Sequence, residues 1–387
     1  MSAYDVAVVG AGPAGSVAAL MLARAGLDVA LIGIETSETG NPRRGETVSP
    51  IAASVLARLQ LTKKIDLQRM PRVTGFVSTW GSPRALSRPG FLAVDAGTLS
   101  VDRAVLDDAL KDAAAECGAT VLPGRVDAMA YDGVRWRISH RRTEYHARFL
   151  IDASGRGARF ARRAGARLLA FDKLIAVTAV LASAAEDKDR TVAIESLPDG
   201  WLFTTLDAVG DRVVTFFTDG DLWPADALKH PDPLLDRILA GSRTLAGYSG
   251  NARRLGTRVW SAGSFALDHA GRPGLLAVGD AAQTRDPLSS QGISSAMRDA
   301  ESAASLLAAS FGDDLSSAIE VHEKGRRRQL IQYLKDRYLY YRAETRWPER
   351  AFWRRRHDLG LLLPQIAAWR TSGRRRSSIK ASAARAQ

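Results

Sequence analysis

The chain is 387 residues long, 46% apolar and 25% charged, with a single cysteine, which is enough chain to bury a sizeable core. Cys117 alone excludes an internal disulfide framework; it fits a reducing compartment and reads as a small helical residue rather than a catalytic thiol. The formal charge is +12, but residues 324–387 hold 18 Lys and Arg against 4 Asp and Glu, and residues 1–323 hold 36 against 38. The basicity is therefore confined to the C-terminal region, as a solvated face with a disordered tail over 371–387 or as a docking surface for an acidic partner. It sits on no recognisable nucleic-acid module, so no nucleic acid is expected. No apolar run is long enough to span a bilayer, and the N-terminus runs straight into a strand, so no signal peptide and a cytoplasmic location are expected.

In chain order, Asp5–Val9 reads as a strand. Gly10-Ala-Gly-Pro-Ala-Gly15 opens a helix that runs to about Arg24, Gly26 stops it, and Val29–Ile32 is a second strand. Strand, Gly-rich turn, helix and strand form the context of a dinucleotide-binding fingerprint, in which the glycines make the turn and admit a pyrophosphate. The acid that should end the second strand and hold a ribose falls on Gly33, while Glu35 lies two residues further on. A polar loop follows, with Arg43-Arg-Gly-Glu-Thr-Val-Ser-Pro50 at its core, then a helix over 51–61 and a strand over 73–80. Residues 81–90 read as a Pro-broken loop. Residues 99–117 have an amphipathic helical pattern, with Asp102-Arg103 at the N-terminal end. Short strands at 120–122, 126–131, 134–139 and 144–149 suggest a meander, closed by Leu150-Ile-Asp-Ala-Ser-Gly155. Five strands between 174 and 265, with one helix near 233–240, suggest a second, antiparallel sheet. The run Leu275–Val278 then leads into Gly279-Asp-Ala-Ala-Gln-Thr-Arg-Asp-Pro-Leu-Ser-Ser-Gln-Gly292 and a helix. This turn offers a carboxylate, Asp280, and a helix N-terminus with free N–H groups.

Gly10-x-Gly-x-x-Gly15, Asp102-Arg103, Asp152-x-x-Gly155 and Gly279-Asp280 with Pro287 and Gly292 together resemble the FAD-dependent monooxygenase and halogenase superfamily. The resemblance implies an α/β fold. A Rossmann-like FAD-binding domain of the group A flavin monooxygenase type would be built from 1–72, 91–167 and 268–310. A mostly antiparallel substrate sheet, from 73–90 and 168–267, would be inserted in it, with a basic helical region over 311–370. The same resemblance implies that Gly10, Gly12, Pro13, Ala14 and Gly15 hold the pyrophosphate and that Arg103 approaches the FAD phosphates. Asp280 would bind the ribitol or a neighbouring phosphate-linked oxygen, and the backbone from Leu288 to Ile293 would face the isoalloxazine. Asp152 would brace the fold, and Arg44, Gly45, Val126 and Glu35 complete the expected cofactor-binding group. Glu46, Ser290 and Gln291 are the candidate catalytic residues, although a loop hydrogen bond explains Glu46 equally well. Arg103 read without the motif is a surface helix arginine.

A finer likeness rests on Arg44-Gly-Glu-Thr-x-x-Pro50, Ser78-x-Trp-Gly81, Asp286-Pro-Leu-Ser-Ser-Gln-Gly-Ile293, Tyr340-Tyr-Arg-Ala-Glu-Thr-Arg-Trp347 and Phe352-Trp-Arg-Arg-Arg356. These are similar to the tryptophan-halogenase-like flavoproteins and, within them, the LodB-like group, whose members oxygenate a tryptophan inside another protein to build a quinone cofactor. Tryptophan halogenases place a lysine in the strand at 72–80, which here has none, and a glutamate where this chain has Ser289. The chemistry implied is therefore oxygenation by a flavin hydroperoxide using O2, with electrons from NAD(P)H or from flavin reduced by a separate reductase. The partner implied is a protein or peptide substrate docking near the basic C-terminal region, where Arg354, Arg355 and Arg356 would meet it. Three rivals stand beside this reading: a small-molecule hydroxylase or halogenase, a reductase of isoprenoid chains, and an FAD-bearing chaperone for a partner protein. Trp80 and Trp201 are pocket or core residues. The six histidines have no metal-ligand spacing.

Overall fold

The computed structural model describes residues 2–34, 44–62, 64–67, 69–89, 97–183, 188–244, 252–367 and 369. Glu35 and the tail at 371–387 lie outside them.

Four parallel strands, Leu275–Ala277, Thr143–Asp152, Ser2–Val9 and Val29–Gly33, lie side by side in that order, with Thr120–Pro123 as a fifth. The segments Val6–Val9, Val29–Ile32, Phe149–Ile151 and Leu275–Ala277 are apolar and buried, as parallel strands covered on both faces require. The register sets Val9 opposite both Ile32 and Asp152, and Asp152 opposite Ala277. The turns that follow these four residues therefore leave the sheet at one edge, which is where ligands bind in open α/β folds. Strands Val126–Tyr131 and Trp136–His140 form a meander with Thr143–Asp152, and Gly271–Arg272 pairs antiparallel beside Leu275. Helices Pro13–Arg24, Arg103–Glu116 and Gly292–Ser310 share one apolar core with this sheet.

A second sheet runs in the order Arg254–Ser261, Leu174–Leu181, Arg212–Asp219, Gly200–Leu206, Val192–Leu197, Gly75–Thr79 and Leu86–Pro89. All its pairings are antiparallel except Val192–Leu197 with Gly75–Thr79. Residues 81–90 are thus not only loop: Leu86–Pro89 is an edge strand, the one place in a sheet where Pro89 removes no needed donor. Likewise 99–117 is not one helix. Leu99–Ser100 pairs with Thr47–Val48, and Asp102 then caps the Arg103–Glu116 helix by accepting the Ala104 N–H at 2.9 Å.

The chain ends in helices Ser316–Arg342 and Ala351–His357 and a helical stretch over 359–367. Among the described residues, no helix is long and apolar enough to cross a membrane.

Candidate functional site

The Gly-rich turn has the shape its sequence implies. Gly10 sits at φ +116°, and a Cβ there would stand 2.1 Å from the Ala153 carbonyl oxygen; a Cβ at Gly15 would stand 1.7 Å from that of Gly10. Gly12 faces open space instead. It caps the Pro13–Arg24 helix with no side-chain acceptor and no acid in the first turn, so the Ala14 and Gly15 N–H groups are left without an intrahelical partner. Such an end fits a phosphate.

Gly279, from the far end of the chain, lies against this helix start. A Cβ on it would be 2.7 Å from the Ala14 Cβ and 3.3 Å from that of Ala296. The Gly292–Ser310 helix also begins without a side-chain cap or an acid in its first turn. Two uncapped helix ends therefore converge on Gly279 and Asp280. Asp280 is part-exposed, and the Arg156 Nε lies 3.9 Å from its Oδ2. Asp152 is fully buried and accepts the N–H groups of Ser154, Phe160 and Ala161 at 2.7–3.0 Å, which ties the turn after its strand to the next helix. That is the bracing role expected of it.

Gly33 lacks an acid for a steric reason. A Cβ there would fall 2.4 Å from the Ala11 Cβ and 2.6 Å from its backbone nitrogen, inside the Gly-rich turn. Val126 is buried nearby at the start of its strand, just beyond Gly124, whose N–H donates to the Gly33 carbonyl at 2.7 Å.

On one flank Arg103 is buried, not a surface residue, and its guanidinium pairs with Glu46 and, at 3.1 Å, with Asp107. Burial opposes its charge, but these two carboxylates outweigh that and raise its pKa. Glu46 is thus tied to Arg103, and its carbonyl accepts the Val101 N–H at 3.0 Å. Arg44 reaches the hairpin of the second sheet, pairing with Asp207 and, at 2.7 Å, with Asp211; Gly45 backs onto Val213. The loop from Arg44 to Glu46 therefore staples one sheet to the other.

Asp286 caps the Pro287–Ser289 turn through the Leu288 N–H at 3.0 Å. Its Oδ2 accepts from the Tyr341 hydroxyl at 2.8 Å and from Arg337 Nε at 3.3 Å, and its N–H donates to the Tyr333 hydroxyl at 2.6 Å. Arg337 also pairs with Asp172 at 2.9 Å, and Trp201 Nε1 donates to the Tyr341 hydroxyl at 3.1 Å. Beyond this clamp Ser290 is exposed at φ +48°, Gln291 accepts from Arg285 Nη1 at 3.1 Å, Gly292 opens its helix, and Ile293 packs on the core. Trp201 is core: it is 1% exposed and stacks on Phe217 with centroids 3.9 Å apart. Trp80 is part-buried, edge-on to Trp201, Tyr341 and Trp353.

The arginine cluster proposed for docking is mostly spent inside the molecule. Arg356 is 6% exposed and pairs with Asp219 at 2.7 Å; Arg355 spans Asp219 and Asp221 at 2.9 and 2.7 Å; only Arg354 is open to solvent. Reversing all three would break the fold before it tested a partner.

Three features escaped the sequence reading. Asp299 accepts the Gly279 N–H at 2.7 Å and the His322 Nε2–H at 3.0 Å. Arg285 lies over the Tyr333 ring, 5.4 Å from its centroid, and burial lowers its pKa. Tyr333, Arg337 and Tyr341 act as one face. Only the last carried a sequence signal: positions four apart on a helix share a side.

The FAD binding domain family model matches residues 3–335. The FAD-dependent oxidoreductase LodB of Marinomonas mediterranea is 28% identical over 372 residues, covering 94% of this chain and 99% of LodB. A menaquinone reductase of Mycobacterium tuberculosis is 31% identical over 324 residues, covering 78% of this chain and 76% of its own length. A 1H-pyrrole-2-carbonyl-[peptidyl-carrier protein] chlorinase of Pseudomonas fluorescens is 27% identical, covering 88% and 84%. Among solved structures, the flavin-dependent halogenase CmlS superposes with a TM-score of 0.79 at 24% identity, covering 97% of this chain and 72% of its own. QhpG, a peptidyl tryptophan dihydroxylase essential for tryptophylquinone cofactor biogenesis, superposes at 0.76 and 22%, covering 92% and 79%. At such identities the structural likeness shows the fold alone. With the family model spanning most of its length, the chain belongs to the FAD binding domain family and is an FAD-dependent oxidoreductase.

Proposed function

We propose that the protein is a monooxygenase that hydroxylates an aromatic ring, a tryptophan held in a partner protein or peptide, in the maturation of a quinone cofactor. The observation that carries this over halogenation of the tryptophan-halogenase type is the Gly75–Thr79 strand, Gly-Phe-Val-Ser-Thr, which presents no lysine amine. Ser289, at the other halogenase position, turns its hydroxyl back to the Asp286 carbonyl at 3.1 Å. The similarity to LodB over nearly both full lengths supports the same choice.

In this reading the N–H groups of Ala14 and Gly15 bind the pyrophosphate in the turn of Gly10, Gly12 and Gly15, and Pro13 presets the helix start. Asp280 accepts from ribityl hydroxyls. Arg103, its charge balanced by Glu46 and Asp107, holds the Arg44–Glu46 loop in place, and Glu46 orients that loop. The Asp286 clamp fixes the loop through Ser290 and Gln291 to Gly292 and Ile293, whose backbone donors would hold the ring system. The aromatic wall at Trp80 excludes water. FAD, when bound, would supply the oxygen-activating redox chemistry, with NAD(P)H or a separate flavin reductase as electron source and O2 as oxidant.

The test is intact mass of partner proteins that copurify with this chain, with and without its co-expression, in the presence of O2, reductant and bromide. Added oxygen localised to a tryptophan is the expected result. Added bromine would establish halogenation instead, and unchanged partners with turnover of free indoles or phenols would establish a small-molecule enzyme.

A further inference from the structure

The outward face of the Ser316–Arg342 helix carries Val321, Lys324, Arg328, Lys335, Leu339 and Arg342, all exposed. Their spacing, in steps of three, four and seven residues, puts them along one side of the helix, and from Lys324 to Arg342 the line is about 27 Å long. Buried Leu330, Tyr333, Leu334, Arg337 and Tyr341 mark the other side. The acids of this helix do not neutralise the line. Glu323 is taken by Arg326 and Arg327, Asp336 accepts from Gln332 at 2.8 Å, and Glu320 meets only Lys324, at 2.7 Å. Arg328, Lys335 and Arg342 have no ion pair among the described residues.

Exposed apolar side chains accompany these cations. Val321 is 49% exposed and Leu339 64%. The helical stretch over 359–367 begins where Asp358 accepts the Gly360 N–H at 2.7 Å, and it lies against the same helix, with Leu362 and Ile366 packed on the cluster of Leu330, Tyr333 and Leu334. Leu359, Leu361 and Leu363 of that stretch stay 41–57% exposed. Three leucines left out of the core within five residues go beyond the single, scattered apolar side chains of an ordinary surface. No Asp or Glu follows Asp358, whereas Arg374, Arg375, Arg376, Lys380 and Arg385 do. A protein partner calls for an apolar centre inside a polar rim. Here charge of one sign and bare leucines run together along one helical layer. An anionic bilayer meets both at once, its headgroups taking the long cationic side chains and its acyl boundary the leucines.

We propose that this face docks the protein on the surface of an anionic lipid bilayer, with the four cations of the Ser316–Arg342 helix at the headgroups and the leucines at the acyl boundary. The face lies on the C-terminal helical region, apart from the Gly-rich turn, and the proposal stands whether or not the substrate reading above is right.

The experiment is cosedimentation of the FAD-loaded full chain with phosphatidylcholine vesicles that contain phosphatidylglycerol, and with vesicles of phosphatidylcholine alone. Binding to the first and little to the second is expected, and added sodium chloride should weaken it. Arg328→Gln, Lys335→Gln and Arg342→Gln together should weaken binding by about tenfold or more, since one cation near an anionic surface is worth roughly fivefold. Leu361→Ser with Leu363→Ser should weaken it severalfold and leave the salt dependence as it was. All five residues are exposed, so FAD content should not change in either variant. A parent that stays in solution, equal binding to both kinds of vesicle, or either variant binding as the parent does would overturn the proposal. Saturable binding of polyglutamate by a chain that ignores the vesicles would overturn it in favour of an acidic protein partner.

Discussion

Tyr341→Phe removes one oxygen and leaves the ring in place. That oxygen accepts from Trp201 Nε1 at 3.1 Å and donates to Asp286 Oδ2 at 2.8 Å, and both neighbours are nearly fully buried. Burial, reinforced by Asp286, holds the Tyr341 phenol above its ordinary pKa, so it remains a donor at any working pH. The variant strands a buried indole N–H, a loss of about 1–3 kcal/mol, and deprives a carboxylate of a charge-assisted bond; Arg337 and the Leu288 N–H still satisfy part of Asp286, so we expect about 2–4 kcal/mol in total. At roughly 2.1 cal/mol/K per residue of unfolding entropy, that lowers Tm by about 3–5 °C. The assay is thermal unfolding followed by circular dichroism and by flavin fluorescence, with Tyr340→Phe as control, since the Tyr340 side chain is 59% exposed. Both signals should fall early in Tyr341→Phe and stay unchanged in the control. Equal Tm values for the two variants would refute the idea that this hydroxyl couples the second sheet to the loop.

Gly33→Asp places a Cβ against Ala11 and should strain the Gly-rich turn by about 1–3 kcal/mol, weakening FAD about 5- to 150-fold by fluorescence titration; tighter FAD would mean that the strand end has room for an acid. Arg356→Met leaves Asp219 buried with Arg355 alone and should lose about 3 kcal/mol in urea unfolding, whereas Arg354→Met should stay within about 0.5 kcal/mol. His322 is raised from 6.5, so its contribution is whole below about pH 6.5 and disappears as pH climbs through the higher folded value. The Tm deficit of His322→Gln should therefore be flat from about pH 5 to 6.5 and shrink above that; a deficit that grows with pH would show that the imidazole is neutral in the fold.

What the sequence made legible was local. The run from Asp5 to Gly15 and the Asp102-Arg103 cap declare themselves because turn, cap and strand lie within a few residues of one another. Gly33 was legible as an anomaly but not as a necessity, since its neighbour Ala11 is a contact across the turn. Asp299 and His322 gave no sign: each sits in an ordinary helical pattern, and their pairing depends on how two helices pack. The C-terminal charge misled for a related reason. The pattern records that Arg337, Arg355 and Arg356 are cations, while their carboxylates, Asp172, Asp219, Asp221 and Asp286, lie 51 to 165 residues earlier. Part of the C-terminal basicity is thus met by carboxylates from earlier in the chain, while the net charge of +12 remains.

The clamp on Asp286 has a consequence in time. Its partners Tyr333, Arg337 and Tyr341 lie 47, 51 and 55 residues further along the chain, so a ribosome must deliver all three before the loop can be held. The pairings of the parallel sheet and its Gly-rich turn lie wholly within residues 2–277, and the core beneath them draws on the chain as far as Ile319. A chain clipped before Tyr333 would lack all three partners of Asp286 that come from the Ser316–Arg342 helix. The loop that follows the Gly279 turn is thus held by the part of the chain that is made last.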